Sequence, residues 1–191
     1  MIIGRLEIIV EDQFPRLVLP QDPLAAIKQG SAKDVSLLTG TTRDEWMLFV
    51  QLVETRKRNL DVEGLEKVCT RRIPRGRQAL LETYRRTRGG TQGETPTQIY
   101  AAIESDRMFR IPAIRLAEAQ AALGAPTYMY MFTWQSPMMG GAIGAGHAME
   151  IPFVFGTLDT PFGKLFSGNS PEAWRLSEAM MDVWISFAKD G

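Results

Sequence analysis

Two short runs, DVSLLTG at residues 34–40 and TYMYMFTW at 127–134, constrain the fold of this chain more than any other feature in it. The first is apolar at its centre and stops at Gly40, the pattern of a buried strand. The second is apolar or aromatic on both faces, as expected of a central strand covered on both sides. A helical pattern, TTRDEWMLFVQLVE, directly follows the first run, and more helical sequence fills the interval to the second. Strand, loop and helix in that order predict an α/β chain.

Helices are expected at about 61–72 and 76–87, after which RGGTQGETPTQ (88–98) breaks the pattern with three glycines and a proline. In IPAIRLAEAQAALG (111–124), Ile114, Ala117 and Ala121 share one helical face, with Pro112 near the start and Gly124 suited to a left-handed C-terminal cap. The last stretch, SPEAWRLSEAMMDVWISFAKDG (170–191), opens with Ser170 as N-cap and Pro171 at the first helical position. It spaces Ala173, Leu176, Met180, Val183 and Phe187 as a buried stripe. There is no internal repeat, and a single domain over residues 1–191 is expected.

Composition excludes several classes of function. Lys plus Arg equals Asp plus Glu at 22 each, so no net field points to nucleic acid or an anionic membrane. The segment from Glu54 to Arg88 is basic, with eleven Lys/Arg against five Asp/Glu. Yet Tyr84 is the only aromatic in its CTRRIPRGRQALLETYRRTRGG stretch, and no zinc spacing or RNA-binding motif accompanies it. That pattern predicts solvated helices whose arginine stems lie over apolar surface. One cysteine, Cys69, leaves no internal disulfide and no cysteine-rich metal site, which fits a reducing, cytoplasmic setting. No apolar stretch approaches the roughly 18 residues of a membrane span, and charge at Arg5 and Glu7 interrupts any signal-peptide core. Neither nucleic acid nor membrane is an expected partner.

Loops that follow the carboxyl ends of parallel strands line the crevice where α/β proteins do chemistry. Asp44 and Glu45 sit in one such loop. The only histidine, His147, sits in the other, within GAIGAGHAMEIPFVFG (141–156). The interval between acid and histidine is long enough for helices to cross over and return the chain to the same sheet edge. A neutral imidazole can take a proton from a nucleophile, and a carboxylate on its other nitrogen fixes the tautomer and stabilises the imidazolium. His147 is the candidate base and Glu45 its orienting acid.

LLTGTTRDEWMLF, SDRMFRIPAIRLAEAQ, TYMYMFTWQSP and GHAMEIPFVFG occur in the order and at the approximate spacing found in type-B carboxylesterases, the carboxylesterase and cholinesterase group. The chain resembles that family from about Phe14, where FPRLVLPQDPLAAIKQGSA matches its lead-in, to the last residue. The resemblance implies an α/β-hydrolase fold, a carboxylic-ester hydrolase acting on small-molecule esters, and no cofactor or metal. It also implies Glu45 as the triad acid, His147 as the triad base and Glu150 as an acidic residue supporting the site from behind. Trp46 stands where the family most often has glycine.

The family's nucleophile lies in G-x-S-x-G, with a Gly-Gly pair of the oxyanion hole upstream. Neither occurs in these 191 residues. Of the eight serines only Ser170 has a glycine two positions before it, and it follows the histidine instead of preceding it. The expected architecture is therefore the C-terminal part of an α/β-hydrolase, an incomplete sheet with flanking helices that lacks the nucleophile-bearing half and the family's usual tail. Two functions follow: the acid-and-histidine portion of a carboxylesterase, or a catalytically silent fragment or binding module of the same fold. An unprotected sheet edge also predicts self-association.

Overall fold

The computed structural model describes residues 21–73, 75–88 and 94–191. The family lead-in before residue 21 and the glycines at 89, 90 and 93 lie outside the described residues. In chain order the elements are α1 (Pro23–Lys28), β1 (Leu37–Thr42), α2 (Glu45–Leu52), α3 (Val62–Arg72), α4 (Arg77–Arg88), α5 (Pro96–Ser105), α6 (Ile111–Ala121), β2 (Thr127–Phe132), α7 (Ile151–Val154), α8 (Pro161–Ser167) and α9 (Pro171–Asp190). A π-helical turn, Asp106–Arg110, joins α5 to α6. The two strands pair with each other. Leu37 N–H donates to Pro126 O and Arg43 N–H to Phe132 O, each at 2.9 Å. Residue 126 follows 37, and 132 follows 43, by the same 89 positions, so the pair is parallel and in even register.

Two compact units divide the chain, Met1–Thr39 with Ile114–Met129, and Gly40–Ala113 with Tyr130–Gly191. In the first, Asp22 caps α1 by accepting the Ala25 N–H at 2.8 Å. The buried residues of α6 are Ala119 and Gln120, whereas Ile114 and Ala117 are half-buried and Ala121 is exposed. The reason is polar: the Gln120 amide donates to the carbonyls of Ala32 (2.5 Å) and Val35 (2.6 Å), which turns its side of the helix inward. Gly124 has φ +80°, as its place after the helix requires.

The second unit has two apolar cores. One gathers Val50 of α2, Leu65 and Cys69 of α3, Leu81 of α4 and Ile99, Tyr100 and Ile103 of α5. α5 is buried almost all round, and a capping box between Thr95 and Gln98 fixes its start. The other core, with Phe132, Ile143, Met149, Phe153, Leu158 and Phe166, lies beneath the histidine-bearing loop. Two cations of the basic segment, Lys57 and Arg72, pair with acids of the same unit, while most of its other arginines and lysines are exposed. Glu54 accepts from Lys57 at 2.6 Å and from the Tyr100 hydroxyl at 2.8 Å, and Glu104 accepts from Arg72 and Arg107, both at 2.7 Å.

Three expectations change. Gly40 lies inside β1 instead of ending it, because a Cβ there would meet the Tyr130 ring at 2.4 Å; the glycine lets that ring cross the strand. β2 is not covered on both faces: Phe132 is buried, but Tyr128, Met129 and Met131 are exposed, because no layer among the described residues covers them. Along α9 only Ala173 of the anticipated stripe is buried, and Val183 is 53% exposed. Its first turns pack on α7, where Ser177 Oγ donates to Phe153 O at 2.7 Å. Farther along, Leu176, Met180 and Val183 line an open apolar groove of about 300 Å³ with Met131 and Trp134.

An apolar face this open predicts self-association. Sedimentation at rising protein concentration is expected to show species heavier than the 21.4 kDa monomer, and Val183→Lys to shift the distribution back toward monomer. A monomer at all concentrations would contradict the prediction.

Candidate functional site

Glu45 is the first residue of α2, and 5% of it is exposed. A carboxylate so buried needs donors on its oxygens. It has one on each: Thr42 N–H donates to Oε1 at 2.8 Å, and His147 Nδ1 meets Oε2 at 2.6 Å. The first donor comes from the end of the strand just before it, and the second from a loop 102 residues later. The parallel pairing of β1 and β2 delivers both to one edge of the sheet. With Nδ1–H donating to the carboxylate, the Nε2 lone pair is left on the far side of the ring, and the His147 side chain is 41% exposed.

Asp44, the other acidic candidate, does not join this pair. Its carboxylate accepts from Arg43 (Nη2 to Oδ2, 2.9 Å) and from the Ala145 N–H (3.0 Å). Glu150 lies close enough for the charges of Glu45 and His147 to act on it. Burial pushes its carboxyl above the ordinary value, with the Glu45 charge adding to the effect and His147 opposing it. Its Oε2 is enclosed and has no hydrogen-bond partner among the described residues. Tyr130 belongs to the same neighbourhood: burial, helped by Glu150 and Glu45, pushes its hydroxyl up to about 12.

The residues that shape the histidine loop were not evident in sequence. Phe49 and Phe109 lie on His147 with ring centroids 5.3 and 5.1 Å away. Phe49 sits one helical turn beyond Glu45, a spacing that places it on the acid's face; Phe109 reaches the ring from the π-helical turn, and although it lies within the SDRMFRIPAIRLAEAQ motif its spacing points to no role beside the histidine. Ser105 Oγ accepts the Trp46 N–H at 2.9 Å, satisfying one of the open amides at the start of α2. Ala148, next after the histidine, holds φ +63°, a left-handed conformation that costs a residue with a Cβ on the order of 1–2 kcal/mol. Ser170 is the N-cap of α9, accepting from Ala173 N at 3.2 Å. Burial raises the Cys69 thiol above its ordinary value.

The sequence model of the carboxylesterase family matches residues 4–191. The chain belongs to the carboxylesterase family. Among its relatives, the para-nitrobenzyl esterase of Bacillus subtilis (strain 168) is 32% identical over 174 residues, covering 91% of this chain and 33% of the relative. The phenmedipham hydrolase of Pseudarthrobacter oxydans is 27% identical over 180 residues, covering 93% and 34%. A crystal structure of a Geobacillus stearothermophilus carboxylesterase at pH 6.2 superposes with a TM-score of 0.76 at 32% identity, over 92% of this chain and 35% of that one. The chain thus carries part of an α/β-hydrolase fold and spans about a third of the length of these carboxylesterases. Among the described residues no helix is long and apolar enough to cross a membrane.

The raised Glu150 carboxyl gives a pH dependence with a definite sign. A carboxyl whose folded value exceeds its unfolded one stabilises the fold at low pH, and that stability is lost as pH rises through the folded value. Thermal unfolding midpoints of wild type and Glu150→Gln, compared from about pH 4 to pH 8, are expected to separate with rising pH, the variant becoming relatively more stable. Parallel curves would show that Glu150 ionises in the fold as it does in the unfolded chain.

Proposed function

We propose that these residues supply the acid and the base of a carboxylic-ester hydrolase, with the serine nucleophile and the oxyanion donors contributed by sequence outside them. The observation that carries this reading is the 2.6 Å contact between Glu45 Oε2 and His147 Nδ1 at the ends of neighbouring parallel strands. In this reading Nε2 takes the proton from a serine hydroxyl as its oxygen attacks the ester carbonyl, and returns it to the departing alcohol. The acyl-enzyme is then cleaved by water, which gives its proton to the same nitrogen and is followed by return of that proton to the serine. Glu45 accepts from Nδ1, holds the ring's orientation and stabilises the imidazolium. The names of the relatives support the reaction class, and an ester of 4-nitrobenzyl alcohol is a reasonable first substrate.

Alone, the chain is expected to show no His147-dependent hydrolysis of p-nitrophenyl acetate and no serine labelling by a fluorophosphonate. Addition of the serine-bearing remainder of the B. subtilis para-nitrobenzyl esterase is expected to give turnover. Relative to that assembly, His147→Ala should lower kcat by about 10⁶ and Glu45→Gln by about 10⁴. An assembly that forms and binds but turns over no ester, or one indifferent to His147→Ala, would favour a silent binding module.

A further inference from the structure

We infer that Asp44 is a positioning residue that clamps the histidine loop to the end of β1 and so sets the separation of Glu45 and His147. The inference deepens the reading above, since this pair is the proposed acid and base. Its core is a double contact between two residues: Asp44 N–H donates to Ala145 O at 2.9 Å, and Ala145 N–H donates to Asp44 Oδ2 at 3.0 Å. Asp44 immediately precedes the acid, and Ala145 lies two residues before the histidine. The clamp is thus a second tie between the two loops, made backbone to backbone and side chain to backbone beside the Glu45–His147 bond itself. Ala145 is fully buried, which leaves its amide no water as an alternative partner.

The surroundings are built for that carboxylate. Gly144 has φ +63°, and a Cβ on it would lie 2.5 Å from Asp44 Oδ2, so the oxygen occupies the space a side chain would take. From the opposite side Arg43 donates to both oxygens, Nε at 3.2 Å to Oδ1 and at 3.1 Å to Oδ2, and Nη2 at 2.9 Å to Oδ2, which fixes the plane of the carboxylate. The far end of the loop is tied down by Ser136 N–H donating to Gly144 O at 3.0 Å. Adjacent acids therefore divide the work: Glu45 faces the imidazole, and Asp44 holds the backbone that carries it.

Because the chain has a single histidine, ¹⁵N-histidine labelling gives one imidazole to follow by NMR. The wild-type chain is expected to show a downfield, slowly exchanging Nδ1–H resonance from the bond to Glu45. Asp44→Ala should speed exchange of that proton with solvent at least about tenfold or abolish its signal, while Asp44→Asn, which keeps an acceptor for Ala145, should retain most of it. Ser170→Ala, which removes a remote helix cap, is the control for general destabilisation and should leave the resonance in place. An unchanged resonance in folded Asp44→Ala, or equal loss in Ser170→Ala, overturns the inference. Should Asp44→Ala fail to fold by circular dichroism, Gly144→Ala wedges a methyl against the same carboxylate, and retention of the signal there overturns the inference equally. The readout involves no turnover, so an inactive assembly with the clamp response intact would count against the esterase reading alone.

Discussion

A carboxylate buried at the start of a helix persists as a charge only where donors meet its oxygens, and the Glu45 side chain organises its half of the molecule around that requirement. Thr42 supplies one donor because β1 continues two residues past Gly40 and leaves its last amide pointing at the helix start. His147 supplies the other because β2 runs alongside β1 in the same direction and releases the chain at the same edge. Removing either would leave a desolvated oxygen, a loss of about 1–3 kcal/mol before any effect on chemistry.

Close backbone approach is what lets the two strand ends share one site. At Gly40 the missing side chain admits the Tyr130 ring across the strand pair. At Gly144 a positive φ and a missing Cβ admit the Asp44 carboxylate to the loop three residues before the histidine. The left-handed Ala148 on the other side of His147 shows how tightly the turn is wound, because that conformation persists only where the surroundings impose it. Below the turn, Ile143, Met149 and Phe153 are fully buried and give the loop a packed floor.

Three acids within a short distance meet three different environments, and their environments decide what each can do. Asp44 is held by a guanidinium and an amide. Glu45 is held by an amide and an imidazole. Glu150 is enclosed with one oxygen unpartnered, and burial favours its neutral form. The neighbouring charges of Glu54 and Glu104 are in turn paired with Lys57, Arg72 and Arg107.

Local patterns determined much of this. The capped start of α9, the helical stretches near 61–72 and 76–87, and the strand-then-loop placement of Glu45 and His147 all depend on residues within a turn or two of one another, so they are legible from the chain. Motif order likewise carried the family and the candidate acid and base. Burial was not legible where it depended on partners distant in sequence. β2 reads as a covered strand because its side chains are apolar, yet covering its faces requires layers packed above and below it, and among the described residues Tyr128, Met129 and Met131 stay exposed. The stripe of α9 faces a groove instead of a core for the same reason. Motif order singled out Glu45 over the adjacent Asp44, but only the tertiary structure supplied the physical division between them: the Asp44 carboxylate is held by Arg43 and the buried amide of Ala145, while that of Glu45 meets the imidazole, and the Ala145 and His147 contacts come from a loop about a hundred residues away that no local pattern encodes.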